Sequence, residues 1–526
     1  MLSRQLVTAL EKYQQSTYRP PVAGSGDTAI FAHSLTSKAG SGYEKLRNLL
    51  EYQEEHAIRR GAMERILRRK LRFGNATDLG VPLLQEYVSG GYLPNNTIPE
   101  SAAESVEIIV KKYLFLLKHL ETTAGFNVKE VKRWLVSFAA TEIHNLFFPK
   151  FAAEVIVEAF HATAHERLRC VSPVPDPEKD SQTYIACRRT LLASTDAETA
   201  YSLWLKYLPD LYTAYAEADL VRLAPDAARV LPVILQQLRK TLSWRVAAKL
   251  KNYSIYFALL WNLLEQQGRA ATATMANPTN LEAFVRQTME ARYAVENKQI
   301  KKRGTRSVAY IFLTKIILAA GLEFPYDYFM LNGVVDYRAL GVNVVFHPFL
   351  LFMMTRGIRK LGSRNTDAMV GGVLKAAYDP GNLPILVVNN KPSHGVWYLL
   401  FTVLYIGLFT LIFSTIIRGL TAFNFNPAST TIFLFFLALV SYFGLRIRHM
   451  AKRWKVEEPG EGIMSALWGL LTLPIVQAGR WLSTTFSSIN VFVFILDFII
   501  ETPFKMLLRG LDAFLAFLRD KREEVR

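Results

Sequence analysis

Val396–Ile417 reads VWYLLFTVLYIGLFTLIFSTII, 22 residues without a charge, and Thr430–Leu445 reads TTIFLFFLALVSYFGL, 16 more, after the polar turn AFNFNPAS. A helix needs about 20 apolar residues to cross roughly 30 Å of hydrocarbon. The first run meets that alone, and the second meets it with the 426–429 turn among the head groups. This pair, 396–417 and 429–445, reads as a transmembrane hairpin. Two weaker segments lie upstream. Residues 307–324 (SVAYIFLTKIILAAGLEF) are apolar apart from Lys315 and Glu323, and residues 337–355 (YRALGVNVVFHPFLLFMMT) carry His347-Pro348 in the middle. At 1.5 Å per residue each reaches about 27–29 Å, so about four spans are expected. An interior lysine costs roughly 2.5–3.5 kcal/mol on insertion scales.

Loop charge orients the spans. Lys and Arg collect on the cytoplasmic side. Five bases, Lys298, Lys301, Lys302, Arg303 and Arg306, precede the first segment, and Arg338 alone follows it. Six come next (Arg356, Arg359, Lys360, Arg364, Lys375 and Lys391), then only Arg418, and after the hairpin Arg446, Arg448, Lys452, Arg453 and Lys455. The alternation predicts a multi-pass inner-membrane protein with both termini cytoplasmic. The parity is unchanged if the two weaker segments do not cross. Met1–Gln15 holds no uninterrupted apolar core of a secretory signal, so residues 43–303 are expected in the cytoplasm.

The rest of the composition excludes other classes. The chain has 526 residues, 62 Lys+Arg against 45 Asp+Glu for a net charge of +17, and 51% hydrophobic residues. That hydrophobicity excludes wholesale disorder. Two cysteines, Cys170 and Cys187, make neither a disulfide framework nor a four-cysteine zinc site. Residues 1–42, rich in Pro, Gly, Ser and Thr from 19 onward, read as a flexible lead-in. Beyond them Ser105–Leu120 (SVEIIVKKYLFLLKHL) repeats apolar residues with the spacing of an amphipathic helix. Further helices are expected over 130–145, 150–169, 199–218, 227–268 (broken near Ser243) and 280–302, punctuated by prolines such as Pro209, Pro225 and Pro278. The expected class is all-α: a helical cytoplasmic domain, the membrane segments, a basic loop over 356–395, and a basic, amphipathic C-terminal module over 446–526.

Chemistry-bearing patterns are sparse. Glu158, His161 and His165 lie on one helical stretch, AAEVIVEAFHATAHERLR. Glu-x-x-His is the spacing used twice in di-iron bundles, but it occurs once here, and a metal needs three or more convergent ligands. These three are weak metal candidates beside the expectation of a solvated polar face, and no cofactor is implied. Arg59–Arg72 packs seven cations into fourteen residues. With no nucleic-acid-binding fold beside it, contact with anionic lipid head groups or plain solvation is expected rather than nucleic acid. Arg446, Arg448, Lys452, Arg453 and Lys455 form a second basic cluster for the membrane surface. Lys315, Glu323, His347 and Asp497 are the intramembrane polar candidates, a residue type that points to function by default. Residues 503–519 place Phe504, Leu507, Leu508, Leu511, Phe514, Leu515 and Leu518 on one face, the pattern of a helix lying in the interface.

Three phrases, YLPNNTIPES (92–101), LEFPYDYFMLNGVVDYRALGVNVVFHPFLLF (322–352) and GRWLSTTFSSINVFVFILDFIIETPFK (479–505), make the chain resemble an uncharacterised family of polytopic bacterial membrane proteins, over roughly residues 45–526. The resemblance implies an integral membrane protein with a large helical cytoplasmic part and carries over no catalytic or binding residue. Without a catalytic signature, the expected function is a membrane scaffold or anchor that recruits a cytoplasmic protein partner. The alternative is a transporter or channel component using the four intramembrane polar residues, and a metal-dependent enzyme comes third. A homo-oligomer is a further expectation, since a second copy would bury an interior lysine and aspartate.

Overall fold

Apolar residues at helical spacing become helices throughout the described chain. The computed structural model describes residues 1–16, 18, 20–24, 27–31, 55–73, 78–121, 127–319, 321, 325, 337–356, 362–390, 395–451, 454–456 and 463–488. It is all-α but for one two-stranded sheet. The chain divides into two compact units at 276/277, where the sequence reading placed 303, and residues 375–390 return to the first unit.

The first unit holds α1 (Arg4–Gln15), α2 (Glu55–Phe73), α3 (Gly80–Ser89), α4 (Ser101–Glu121), α5 (Val128–Phe147), α6 (Phe151–Arg167), β1 (Leu168–Cys170), α7 (Asp176–Leu191), α8 (Asp196–Tyr207), α9 (Glu217–Arg239), α10 (Leu242–Lys249), α11 (Lys251–Gln267) and α12 (Ala271–Ala276). The lead-in is thus helical at its start. Leu6, Ala9 and Leu10 recur at one turn and are buried, which holds α1 on α6. The α6 helix, buried from Ala153 through Ala164 along its inner face, also packs against α7 and α11.

Local signals set several boundaries. Asn127 caps α5, its side chain accepting from the Lys129 and Glu130 amides. Thr195 and Glu198 close a reciprocal capping box at the start of α8, satisfying two otherwise orphaned donors. The helix expected over 199–218 instead ends at Tyr207, because Pro209 opens a 3-10 turn over 209–212. Pro225, read as a breaker, lies inside α9 together with Pro232. Both are exposed, so the carbonyls of Val221 and Ala228 that lose an amide partner are on a wet face, and the helix tolerates the loss.

Residues 356–395 were expected as a loop but contain structure. Leu386–Val388 forms a strand that pairs in parallel with β1, Leu168 opposite Leu386 and Cys170 opposite Val388. Asn390 extends the pairing, its Oδ1 accepting from the Ser172 amide and its Nδ2 donating to the Ser172 carbonyl.

The second unit contains α13 (Pro278–Leu318), α14 (Tyr337–Arg356), most of α15 (Ser363–Tyr378), α16 (Val396–Ala422), α17 (Pro427–Ala451) and α18 (Ile463–Ser488). Among the described residues three segments are long and apolar enough to cross a membrane: Tyr337–Thr355, Leu399–Ala422 and Pro427–Arg448. The fourth expected span, 307–324, begins as the end of the 41-residue α13, and its last residues lie outside the described ones. Helices α17 and α18 pack backbone to backbone. A Cβ on Gly479 would stand 2.0 Å from the Ala438 carbonyl oxygen, so only glycine permits that approach. Ala339, Leu420, Phe425, Phe433 and Leu437 form a buried apolar cluster joining α14, α16 and α17. Asp497 and residues 503–519 lie outside the described residues.

Candidate functional site

The α6 face that carries Glu158 and His161 is one wall of an open cleft of about 580 Å³ in the first unit. Phe151, Glu154, Glu158 and His161 fall three, four and three residues apart, which aligns them along that wall. The α8 helix supplies Tyr201, Ser202, Leu205 and Lys206, Tyr184 comes from α7, and Asn145, Tyr18 and Tyr212 complete the lining.

The charges in this cleft are paired within the protein. Lys12 Nζ donates to Glu158 at 2.5 Å, and Lys150 Nζ to Glu198 at 2.8 Å. Arg188 grips both oxygens of Glu154. Burial works to lower the Arg188 pKa, but the Glu154 carboxylate outweighs it and the guanidinium is raised further. His161 Nε2 faces the Asp180 carboxylate at 3.0 Å and the Asp180 carbonyl at 3.2 Å, and Lys206 Nζ donates to the other carboxylate oxygen at 2.7 Å. The His161 hydrogen bond, against burial and with help from Lys206, holds Asp180 well below the usual carboxylate range. The Tyr184 ring is flanked by the His161 imidazole, perpendicular to it at 5.4 Å between centroids, and by the Lys206 ammonium at 4.8 Å.

The Glu-x-x-His spacing therefore does not gather a metal set. Glu158 is held by α1, His161 by α7, and His165 Nε2 is buried without a hydrogen bond, with burial lowering the His165 pKa. Among the described residues no group of three or more His, Cys, Asp or Glu is placed to hold a metal ion.

Behind the cleft lies a buried polar cluster that sequence reasoning missed. Lys112 Nζ, fully enclosed, donates to Glu142 Oε1 at 2.7 Å and to the Leu211 carbonyl at 3.0 Å. Tyr113 and Tyr201 donate to Glu142 Oε2 at 2.7 and 3.2 Å, and Tyr215 reaches Oε1 at 3.5 Å. Burial, then the Glu142 charge, pushes both the Tyr113 and Tyr201 hydroxyls well up, so they remain donors. One carboxylate thus ties α4, α5, α8 and the 209–215 turn together.

The seven-cation run of α2 is largely occupied. Arg60 bonds Glu64 and Ser137, Arg68 pairs with Glu64 and Arg69 with Glu86, and Arg59 covers the Phe148 ring. Of the second basic cluster, Arg446 and Arg448 end α17, Lys455 is half-buried beyond it, and Lys452 and Arg453 lie outside the described residues.

Of the intramembrane candidates, the structure brings two together. Lys315 on α13 is buried and donates to Asn343 Oδ1 at 2.7 Å, with its ammonium 4.3 Å from the Phe436 ring. His347 is buried one turn beyond Asn343, Nδ1 3.1 Å from the Asn343 carbonyl and Nε2 3.0 Å from the Phe433 carbonyl on α17. Asn343 is the shared partner and was not singled out from sequence. Glu323 lies outside the described residues, as does Asp497.

Fold and site together define an all-α protein with, among the described residues, three helices able by length and composition to cross a membrane. Compared with protein-family models, curated proteins and solved structures, the chain matches none.

Proposed function

We propose that this is a multi-pass inner-membrane protein that anchors a cytoplasmic helical unit, which recruits a protein partner to the bilayer. The observation that carries the reading is the contrast within one chain. The first unit buries most of its apolar residues, whereas only 6% of the most apolar stretch of α16 is covered by protein. An apolar surface of that extent is left bare only where something other than water covers it, and acyl chains suit an apolar segment of 24 residues. The alternation of basic loops supports a cytoplasmic first unit, and Arg446 and Arg448 at the end of α17 suit anionic head groups. The test is purification of the full chain from native membranes in mild detergent with quantitative mass spectrometry. A reproducible stoichiometric partner is expected; a clean homo-oligomer with nothing bound would contradict recruitment.

The second reading is transport. The observation favouring it is the meeting of Lys315, Asn343 and His347 between apolar helices, where polar groups are costly unless used. Solute or ion flux in proteoliposomes that is unchanged by Lys315→Met would end it.

A further inference from the structure

We infer that the cleft of the first unit is a small-molecule site for a neutral, planar ligand carrying an N–H or O–H donor, which His161 Nδ1 receives. This goes beyond the anchoring function and does not rest on it.

Charge is the first argument. Lys206, Lys150, Glu154 and Glu158 each have an opposite charge at contact distance within the protein. With each of these charges already opposed, the cleft offers no unmatched charge to an ion and favours a molecule without net charge.

The second argument is which polar groups remain open. His161 Nε2 meets two acceptors, the Asp180 carboxylate and carbonyl, so Nε2 carries the hydrogen. In the neutral imidazole that leaves Nδ1 as an acceptor. Nδ1 has no hydrogen bond among the described residues and is not sealed from solvent. The ring is held in this orientation by Asp180, itself fixed by Lys206, and by Tyr184 packed at right angles to the imidazole. The Asn145 amide and the Tyr212 hydroxyl, which also line the cleft, are likewise without an internal hydrogen bond among the described residues.

Shape is the third. About 580 Å³ lies within the range that holds drug-sized molecules, roughly 300–1,000 Å³. Phe151 and Tyr212 are 42% and 53% exposed, large aromatic surfaces for a flat ring to cover. A carboxylate-oriented histidine, exposed aromatic side chains, an amide and a phenol lining one cleft suit a planar heterocycle.

The test uses benzimidazole, neutral under mildly alkaline conditions with one N–H, and 1-methylbenzimidazole, which lacks the donor. Binding to the full chain in detergent is followed by ligand-observed NMR. The site predicts saturable binding of benzimidazole, with the methylated probe about tenfold weaker, the worth of one hydrogen bond. His161→Phe should bring benzimidazole down to the level of its methylated form. Phe151→Ala and Tyr212→Ala, both at exposed positions, should weaken both probes together, and they keep the test decisive if His161→Phe does not fold. Simple partition into the micelle would favour the more apolar methylated probe. Equal or stronger binding of that probe, no saturable binding of either, or binding indifferent to all three substitutions would overturn the assignment.

Discussion

Replacing Glu142 with leucine should come close to unfolding the first unit, because one carboxylate satisfies four donors. Glu142→Leu leaves the enclosed Lys112 ammonium with the Leu211 carbonyl as its remaining recorded bond, and strands the hydroxyls of Tyr113 and Tyr201. Removing one partner of a buried pair costs about 3–5 kcal/mol, and each stranded hydroxyl adds about 1–3 kcal/mol. Tyr215, half exposed, can turn to water. Even at the low end the loss is about 5 kcal/mol, against a total stability of about 5–15 kcal/mol for a typical fold. Glu142→Gln keeps an acceptor in place and should cost about 2–3 kcal/mol. The double change Lys112→Met with Glu142→Leu removes both charges and should be about 2–4 kcal/mol more stable than Glu142→Leu alone. The assay is urea unfolding of the full chain in mild detergent, followed by tryptophan fluorescence. Trp204 is fully buried with its ring 5.3 Å from Phe138, so its emission reports on this region. A Glu142→Leu protein within about 1 kcal/mol of the parent would refute the reasoning.

Further outcomes follow from single contacts. Burial, reinforced by Lys150, lowers the His144 pKa from 6.5 to about 3. The unfolded chain then takes up a proton below about 6.5 that the folded one refuses, so stability is full above that value and is lost as pH falls toward 3. At about 1.36 kcal/mol per unit, going from about pH 7 to about pH 5 should cost about 2 kcal/mol of urea stability, and His144→Phe should flatten that slope. In the second unit, Gly479→Ala drives a Cβ against the Ala438 carbonyl and should cost about 1–3 kcal/mol by thermal unfolding in detergent. Gly469→Ala on the same helix meets nothing within 4 Å and should be neutral or slightly stabilising. Asn343→Leu removes an acceptor of a buried Lys315 ammonium and should lower the melting temperature more than Gly479→Ala does.

What the sequence made legible was whatever is written in local pattern. The uninterrupted apolar runs after Val396 announce α16 and α17 by length alone, and the spacing of Val106, Ile109, Val110 and Tyr113 announces α4. Contacts made at a distance were not legible. Lys111 and Lys112 are adjacent and chemically identical, yet only Lys112 is enclosed, because its partner Glu142 lies 30 residues away on another helix. The Glu158/His161 spacing was visible and its partners were not, since Lys12 and Asp180 come from elements before and after α6. Asn343 is a neutral residue in an apolar run and acquires meaning only when α13 brings Lys315 to its side-chain oxygen. The strand at 386–388 is three residues long, too short to carry a pattern.

The central claim is that the chain crosses the bilayer and keeps the first unit on the cytoplasmic side. Cysteine accessibility tests it most directly, because only Cys170 and Cys187 need removal, as Cys170→Ser and Cys187→Ala. In that background Asn424→Cys probes the turn between α16 and α17, and Gly381→Cys the turn before the strand at 386–388. A membrane-impermeant maleimide applied to intact cells should label position 424 and leave 381 untouched until the membrane is opened. Equal labelling of both positions in intact cells, or protection of 424 with labelling of 381, would contradict the account.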